Sequence, residues 1–345
     1  STPKPSSAAS DVYKRQWKDS VFRTIGRVTP KPSYLGEKRY LKMSKKDNDN
    51  SLLDRFKDIN PKEINWFPGH MFKAGKQLQQ MLKRVDVVLE LRDARIPLAS
   101  VNLEFEKLLG EKKRLVLFNK TSLAEEETIQ DWGRYFKVQG ISFIFIDVLE
   151  KRGLKKVLPE IRRMMQPRQE RFERKGITPP ALRLMVIGIP NVGKSSLING
   201  LTRRKAAETG PTPGVTRHQE WIVLDRDVEL LDTPGILFPK IATLEMGLQL
   251  TLTGAIKDEI VGRERIAEYL LSVLQERDAS AFFEHYKLEP QHQELEAPQL
   301  LEIIGQKRGC LKKGGVDLER ASAMLLKDFR SGKLGRISLE TLRNS

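Results

Sequence analysis

One short run of residues restricts this chain to a small set of folds. Residues Gly188-Ile189-Pro190-Asn191-Val192-Gly193-Lys194-Ser195 place two glycines, a lysine and a serine at fixed spacing. A β-rich apolar stretch at residues 182–187 precedes the run, and a helical pattern containing Leu197, Ile198 and Leu201 follows it. This strand, loop and helix order is that of a phosphate-binding loop, in which backbone N–H groups and a helix N-terminus surround phosphate oxygens.

The loop pattern also predicts roles for individual side chains. Lys194 is expected to contact the β- and γ-phosphates of a nucleoside triphosphate, and the Ser195 hydroxyl is expected to bind Mg²⁺. The predicted nucleotide contacts in this loop are Asn191, Val192, Gly193, Lys194, Ser195 and Ser196.

Two further segments supply groups for the metal and the γ-phosphate. Asp232-Thr233-Pro234-Gly235 follows a predicted strand over residues 228–231, so Asp232 is a second Mg²⁺ anchor and the Gly235 N–H a γ-phosphate sensor. The loop at residues 210–216 lies between the two motifs and offers Thr216, preferred over Thr212, as a further Mg²⁺ ligand.

A base-reading motif precedes the phosphate loop. Asn119-Lys120-Thr121-Ser122 ends a predicted strand over residues 115–118 and resembles the guanine-reading Asn-Lys-x-Asp motif of GTPases, so Asn119 and Lys120 are predicted to bind the nucleotide. In an ordinary GTPase this motif follows the phosphate loop. The order here is that of circularly permuted GTPases.

Short apolar runs alternate with helical patterns beyond residue 60, which predicts an α/β fold with a mainly parallel sheet. The predicted strands are residues 85–91, 115–118, 143–146, 182–187, 221–224 and 228–231. We predict a circularly permuted P-loop GTPase domain over residues 61–240 and a small all-α domain over residues 241–345 that binds RNA.

Residues 1–60 are predicted to be a basic extension. Up to residue 46 it carries twelve Lys and Arg against three acids, with few apolar residues to bury. This composition is typical of an organelle transit peptide or its remnant, and equally of a disordered basic tail. A basic arm that becomes ordered on RNA would also explain it.

The composition of the whole chain excludes some classes of protein. The net charge of +16 over 345 residues favours a polyanionic partner, and Cys310 alone excludes an intrachain disulfide or a cysteine-built zinc site. No apolar run approaches the roughly 18 residues that a membrane helix needs.

With these residues in place, the chain resembles the ribosome biogenesis GTPase A (RbgA/YlqF) family, including its mitochondrial members, from about residue 64 to residue 342. The segments that carry the resemblance, besides the nucleotide motifs, are Trp66-Phe67-Pro68-Gly69-His70-Met71, Asp93-Ala94-Arg95-Ile96-Pro97, Arg308-Gly309-Cys310-Leu311 and residues 328–335.

The resemblance implies a partner and a location. It implies a GTPase that binds immature large ribosomal subunits as a monomer, in contact with rRNA, ribosomal proteins and other assembly factors, and that leaves after rRNA-stimulated hydrolysis. The implied location is the mitochondrial matrix, with or without association with the inner membrane, and a plastid is the alternative.

The resemblance also implies a catalytic group. Ile236 stands where many GTPases have a water-orienting Gln, and His70 takes that role in similar proteins, so His70, Lys194 and Thr216 are the expected catalytic residues. By itself a lone His is more often structural. Asn191 matches a residue that helps bind K⁺ in similar proteins, which makes GTP or GDP, Mg²⁺ and K⁺ the implied ligands.

Two departures from the family pattern leave alternatives open. Ser122 replaces the base-reading Asp and lacks its carboxylate, and Asp147-Val148 replaces a Ser- or Asn-containing pair after the third predicted strand. They favour either a GTPase with relaxed base specificity or a scaffold that does not hydrolyse nucleotide. Basic residues at 162–175 and 307–343 are the candidate rRNA contacts.

Overall fold

A computed structural model describes most of the chain beyond residue 50. The described residues are 51–59, 64, 80–101, 108–110, 112–202, 221–231, 241, 243–277 and 279–342. Across these residues, no helix has the length and apolar character needed to cross a membrane.

A six-stranded sheet forms the centre of the fold. Its strands are β1 (Val87–Asp93), β2 (Lys113–Asn119), β3 (Phe143–Phe145), β4 (Leu182–Gly188), β5 (Trp221–Asp225) and β6 (Val228–Leu231). Their order across the sheet is β3-β2-β1-β4-β6-β5, and every neighbouring pair is parallel except β5 with β6. All six predicted strands are present, with bounds that differ by no more than two residues.

The central strands are buried on both faces, as expected for parallel strands covered by helices. Every residue of β1 is buried, and six of the seven in β2 are buried. A short helix, α1 (Ser51–Asp54), precedes the sheet, and the helices between its strands are α2 (Glu126–Val138), α3 (Val157–Glu173) and α4 (Lys194–Leu201). In α2, the ring of Phe136 stacks on Phe118 of β2 with centroids 4.6 Å apart, which fixes this helix against the sheet.

Helices also make up most of the described chain beyond residue 243. They are α5 (Leu244–Leu252), α6 (Asp258–Val261), α7 (Arg263–Gln275), α8 (Ser280–Tyr286), α9 (Ala297–Lys307) and α10 (Leu318–Arg330). The apolar residues Ile266, Leu270 and Leu271, which recur at helical spacing, are buried in α7. A two-stranded hairpin, β7 (Leu311–Lys312) with β8 (Gly315–Val316), lies between α9 and α10. Two glycines allow the tight turn between its strands.

This helical region is joined to the sheet by its last residues. The Leu339 N–H donates to the Arg95 carbonyl over 2.9 Å, and the Glu340 carboxylate accepts the N–H groups of Leu98 (2.6 Å) and Ala99 (2.8 Å). Phe56, within the predicted extension, is 2% exposed and packs edge-on against Tyr269 of α7. One continuous apolar core includes residues from both regions, and the domain boundaries at residues 60 and 240 stay a prediction.

A buried charge cluster lies inside the sheet. The Glu90 carboxylate accepts from Arg92 Nε over 2.7 Å and from Arg114 Nη1 over 2.8 Å, and all three side chains are nearly inaccessible. Burial alone would raise the pKa of Glu90, but the two guanidinium groups lower it, so the carboxylate stays ionised.

We expect Glu90→Ala to lower the free energy of unfolding by about 3–5 kcal/mol, because it leaves two buried guanidinium groups without their carboxylate. The measurement is the midpoint of urea denaturation. Glu126→Ala, which breaks an exposed pair with Arg336 at 3.2 Å, is the control and should cost about 1 kcal/mol or less. An equal loss of unfolding free energy in the two variants would contradict the structural importance of this cluster.

Candidate nucleotide site

The carboxyl ends of the parallel strands meet at one edge of the sheet, where α/β proteins bind their ligands. The register pairs Asp93 at the end of β1 with Asn119 at the end of β2, and Leu91 with Gly188 at the end of β4. The loops that follow β1, β2, β3 and β4 therefore lie side by side, although they are distant in sequence.

The phosphate loop has the shape that its sequence predicts. Asn191 and Gly193 have left-handed backbone angles, with φ of 56° and 105°, and α4 begins directly after Gly193. The buried Lys194 ammonium donates to the carbonyls of Gly188 (2.8 Å) and Ile189 (2.7 Å), which holds it over the loop. Ser195 and Ser196 lie in the first turn of α4, where the helix dipole favours anions.

Asn119 joins the base-reading motif to the phosphate loop. Its Nδ2 donates to the Val192 carbonyl over 2.8 Å, and its Oδ1 accepts the Val148 N–H over 3.0 Å. A Cβ on Gly193 would lie 2.5 Å from Asn119 Nδ2, so only glycine allows this approach. The two motifs are thus in direct contact, as the predicted nucleotide site requires.

Lys120 lies in a cluster of buried charges beside Asn119. Its Nζ is 3.0 Å from the Asp93 carboxylate, which also accepts two bonds from the Arg95 guanidinium at 2.8 and 3.0 Å. Burial alone would raise the pKa of Asp93, but Arg95 and Lys120 lower it. Burial lowers the pKa of Lys120, while Asp93 opposes that shift. The Asp93 and Arg95 roles were not predicted, although an acid at a strand end is a recognisable signal.

Ser122 and Asp147, the two departures from the family pattern, contact each other. Asp147 Oδ2 accepts the Ser122 N–H over 3.0 Å and the Ser122 hydroxyl over 2.6 Å. Burial would raise the pKa of Asp147, but the bonds from Ser122 and the Glu150 N–H lower it, so this carboxyl is ionised at neutral pH.

The phosphate loop also contacts the helical region. Asn191 Nδ2 donates to the Gly254 carbonyl over 2.6 Å, just after α5. The Arg330 guanidinium lies beside Gly254, donates to the carbonyls of Leu252 (3.0 Å) and Thr251 (2.9 Å), and pairs with Asp258. This contact was not predicted, since its partners are more than sixty residues from Asn191.

Several predicted site residues lie outside the described residues, and their roles stay predictions: His70, Thr216, Asp232 and Gly235. The strand before Asp232, β6, ends at Leu231 and runs parallel to β4. In the described ranges, no cluster of three His, Cys, Asp or Glu could hold a metal ion.

Many of the basic residues proposed as rRNA contacts are already paired with acids. Arg162 binds Asp225 (2.7 Å) and Asp227 (2.9 Å) in the β5–β6 turn, and Arg163 binds Glu160. The turn between β7 and β8 differs, because Lys312 and Lys313 are exposed at its tip. A count of basic residues therefore overestimates how many cations of α3 can bind RNA phosphates.

The parallel sheet, the phosphate loop and the permuted position of the Asn119 motif define a circularly permuted P-loop GTPase. Residues 183–304 match a family described as "50S ribosome-binding GTPase". The chain is 41% identical to ribosome biogenesis GTPase A of Bacillus cereus, over 81% of this chain and 94% of that protein. It is 37% identical to mitochondrial ribosome-associated GTPase 1 of Xenopus tropicalis, over 84% and 98% of the two chains.

A solved structure gives the same result. The GNP-bound crystal structure of YlqF from Thermotoga maritima matches with 30% identity and a TM-score of 0.57, covering 78% of this chain and 98% of that one. The chain belongs to the ribosome biogenesis GTPase A family. The predicted fold class and the predicted enzyme class, a GTPase that binds guanine nucleotide, are confirmed.

We expect Gly193→Ala to raise the Kd for GDP by about 10-fold or more, because the new methyl group meets Asn119 Nδ2 at 2.5 Å. Fluorescent GDP titration measures this. Gly314→Ala is a matched control, since Gly314 has a similar φ of 97° but open space around its Cβ position. Unchanged GDP affinity in Gly193→Ala would contradict the assigned contact between the two motifs.

Proposed function

We propose that this protein is a GTP-hydrolysing assembly factor that binds the immature large subunit of the mitochondrial ribosome and leaves it after rRNA-stimulated hydrolysis. The observation that carries the proposal is the 2.8 Å bond from Asn119 to the phosphate loop, in a chain with ribosome-associated GTPases as full-length relatives. A scaffold without nucleotide has no need for that contact.

The site residues suit Mg²⁺, which prefers hard oxygen ligands and is usually held partly by substrate phosphates. The Ser195 hydroxyl lies in the first turn of α4, and Thr216 and Asp232 are the other proposed ligands. The metal would neutralise charge on the phosphates. Lys194 would bind the β- and γ-phosphate oxygens, and the Gly235 N–H would sense the γ-phosphate.

We further propose that His70 orients the attacking water, because Ile236 has no group that can hydrogen-bond to water. The contact of rRNA with the segment that carries His70 would complete the site, so hydrolysis depends on the ribosome. Asn191 is the proposed K⁺ ligand. Since its Nδ2 faces the Gly254 carbonyl, its Oδ1 is turned away and suits a cation.

Release from the ribosome requires that the nucleotide site affect the surface that binds rRNA. The Asn191 contact with Gly254, and the Arg330 bonds beside it, connect the phosphate loop to the helical region. The exposed Lys312 and Lys313 in that region are the proposed phosphate-binding surface. These contacts support a switch rather than two independent activities.

We expect large mitochondrial ribosomal subunits to stimulate phosphate release from GTP and not from ATP, in potassium buffer. Lys194→Ala should abolish the stimulated rate, whereas Lys137→Ala, at an exposed position in α2, should retain it. Stimulation with both nucleotides would show relaxed base specificity. Tight subunit binding without hydrolysis would favour the scaffold.

We expect His70→Ala to lower the stimulated rate by about 10²-fold while leaving GDP affinity unchanged, because it removes the group that positions water. Single-turnover hydrolysis on subunits separates this effect from binding. His292→Ala, which changes a helical turn at Pro290–Glu294, is the control and should retain full stimulation. Undiminished turnover in His70→Ala would rule out the proposed role.

A further inference from the structure

The base-reading motif of this chain has lost the carboxylate that gives GTPases their guanine selectivity. Asn119-Lys120-Thr121-Ser122 ends in a serine, where the motif of GTPases has an aspartate that accepts two hydrogen bonds from guanine. The structure places another carboxylate in contact with this serine, from the loop after a different strand. Asp147, in the loop after β3, binds both the backbone and the side chain of Ser122.

The backbone around Asp147 fixes it in this position. Strands β2 and β3 pair in parallel, and beyond them the Thr121 hydroxyl donates to the Ile146 carbonyl over 3.1 Å. Asp147 and Arg152 exchange two backbone hydrogen bonds at 2.9 and 3.0 Å. Asp147 is 2% exposed, so its contact with Ser122 is part of the interior and not a surface ion pair.

The hydrogen bonds at Ser122 define which groups can face a ligand. A hydroxyl has one proton and two lone pairs, and the Ser122 proton points to the Asp147 carboxylate over 2.6 Å. A bond of this length to an ionised acceptor is strong, so the proton is held there. Toward a ligand, Ser122 Oγ can then only accept a hydrogen bond.

An acceptor at this point distinguishes the purines. N1 of guanine carries a hydrogen and donates, whereas N1 of adenine has a lone pair and accepts. Adenine would place two acceptors face to face and leave both without a donor, which costs affinity. A single hydroxyl oxygen cannot also hold the 2-amino group as a carboxylate does.

We propose that Ser122 and Asp147 together read guanine: Ser122 Oγ accepts the guanine N1–H, and Asp147 is the positioning residue that holds the hydroxyl proton away from the base. This inference rests on the guanine nucleotide site of the proposed function. It explains why Ser122 and Asp147 occur together, since each departure compensates for the other.

The test is a set of Kd values for GDP, IDP and ADP on the full chain, by competition with fluorescent GDP. The wild type should bind GDP at least about 100-fold more tightly than ADP, and IDP, which lacks the 2-amino group, within about threefold of GDP. IDP binding tenfold weaker than GDP in the wild type would show that a bidentate acceptor is present, and would overturn the proposal.

The Asp147→Ala variant releases the Ser122 hydroxyl, which can then rotate and donate to N1 of adenine. We expect the Kd for GDP to rise about 10-fold while the Kd for ADP falls or stays constant. If Asp147 had a merely structural role, its loss would raise the Kd values for GDP and ADP by the same factor. Leu149→Ala, at an 85% exposed position in the same loop, is the matched control and should change neither value.

The Ser122→Ala variant removes the acceptor itself. It should also raise the Kd for GDP about 10-fold and leave the Kd for ADP unchanged. Because both residues act through one hydrogen bond, the double variant should lose no more than either single variant. Additive losses would show that the two side chains act separately. Asp147→Asn, which keeps the shape of the side chain, gives the same comparison if Asp147→Ala fails to fold.

A charge exchange provides a positive test. Ser122→Asp alone places two carboxylates in contact and should weaken GDP binding, because like charges repel. The double variant Ser122→Asp/Asp147→Ser restores a carboxylate in the motif with a hydroxyl partner. It should recover GDP binding and should now bind IDP about 10-fold more weakly than GDP. Failure of this recovery in a folded protein would overturn the proposal.

The outcomes also separate this inference from the proposed function. A wild type that binds none of the three nucleotides would overturn both. The wild type could select GDP while Asp147→Ala and Ser122→Ala leave the ratio of the Kd values for GDP and ADP unchanged. That result would overturn the joint role of Ser122 and Asp147 and leave the GTPase assignment intact.

Discussion

The two hydrogen bonds of the Asn119 side chain are the interaction on which the rest of the site depends. One amide group holds the Val192 carbonyl of the phosphate loop and the Val148 N–H of the loop after β3. Parallel strands carry all three loops to one edge, so the order of the motifs along the chain does not matter for their assembly. This is why a permuted chain can form the same site as an ordinary GTPase.

Much of the fold follows from local sequence patterns. The apolar runs of β1 and β4 predict buried parallel strands, and the spacing of residues 188–195 predicts a phosphate loop before α4, because each pattern depends on neighbouring residues. The contact of Ser122 with Asp147 could not be predicted in this way. It depends on the pairing of β2 with β3, which places residues 25 positions apart within 2.6 Å.

The net positive charge overestimates the surface available to RNA, because many Lys and Arg side chains are paired with acidic residues of the same chain. Arg95 binds Asp93 in the interior, and Arg162 holds the turn between β5 and β6. A count of basic residues includes these groups, although they stabilise the fold and are not available as a phosphate-binding surface. Burial and pairing, which appear only with the tertiary structure, separate the two kinds of cation.

The Asn191 side chain shows how one residue can serve both the nucleotide site and the helical region. The Gly254 carbonyl can only accept, so the Asn191 amide must present its nitrogen there and its oxygen on the opposite side. The orientation that binds the helical region is therefore the one that offers an oxygen to a cation. A phosphate loop that moved Asn191 would have to break a 2.6 Å bond at Gly254, next to the point where Arg330 of α10 donates to the last carbonyls of α5.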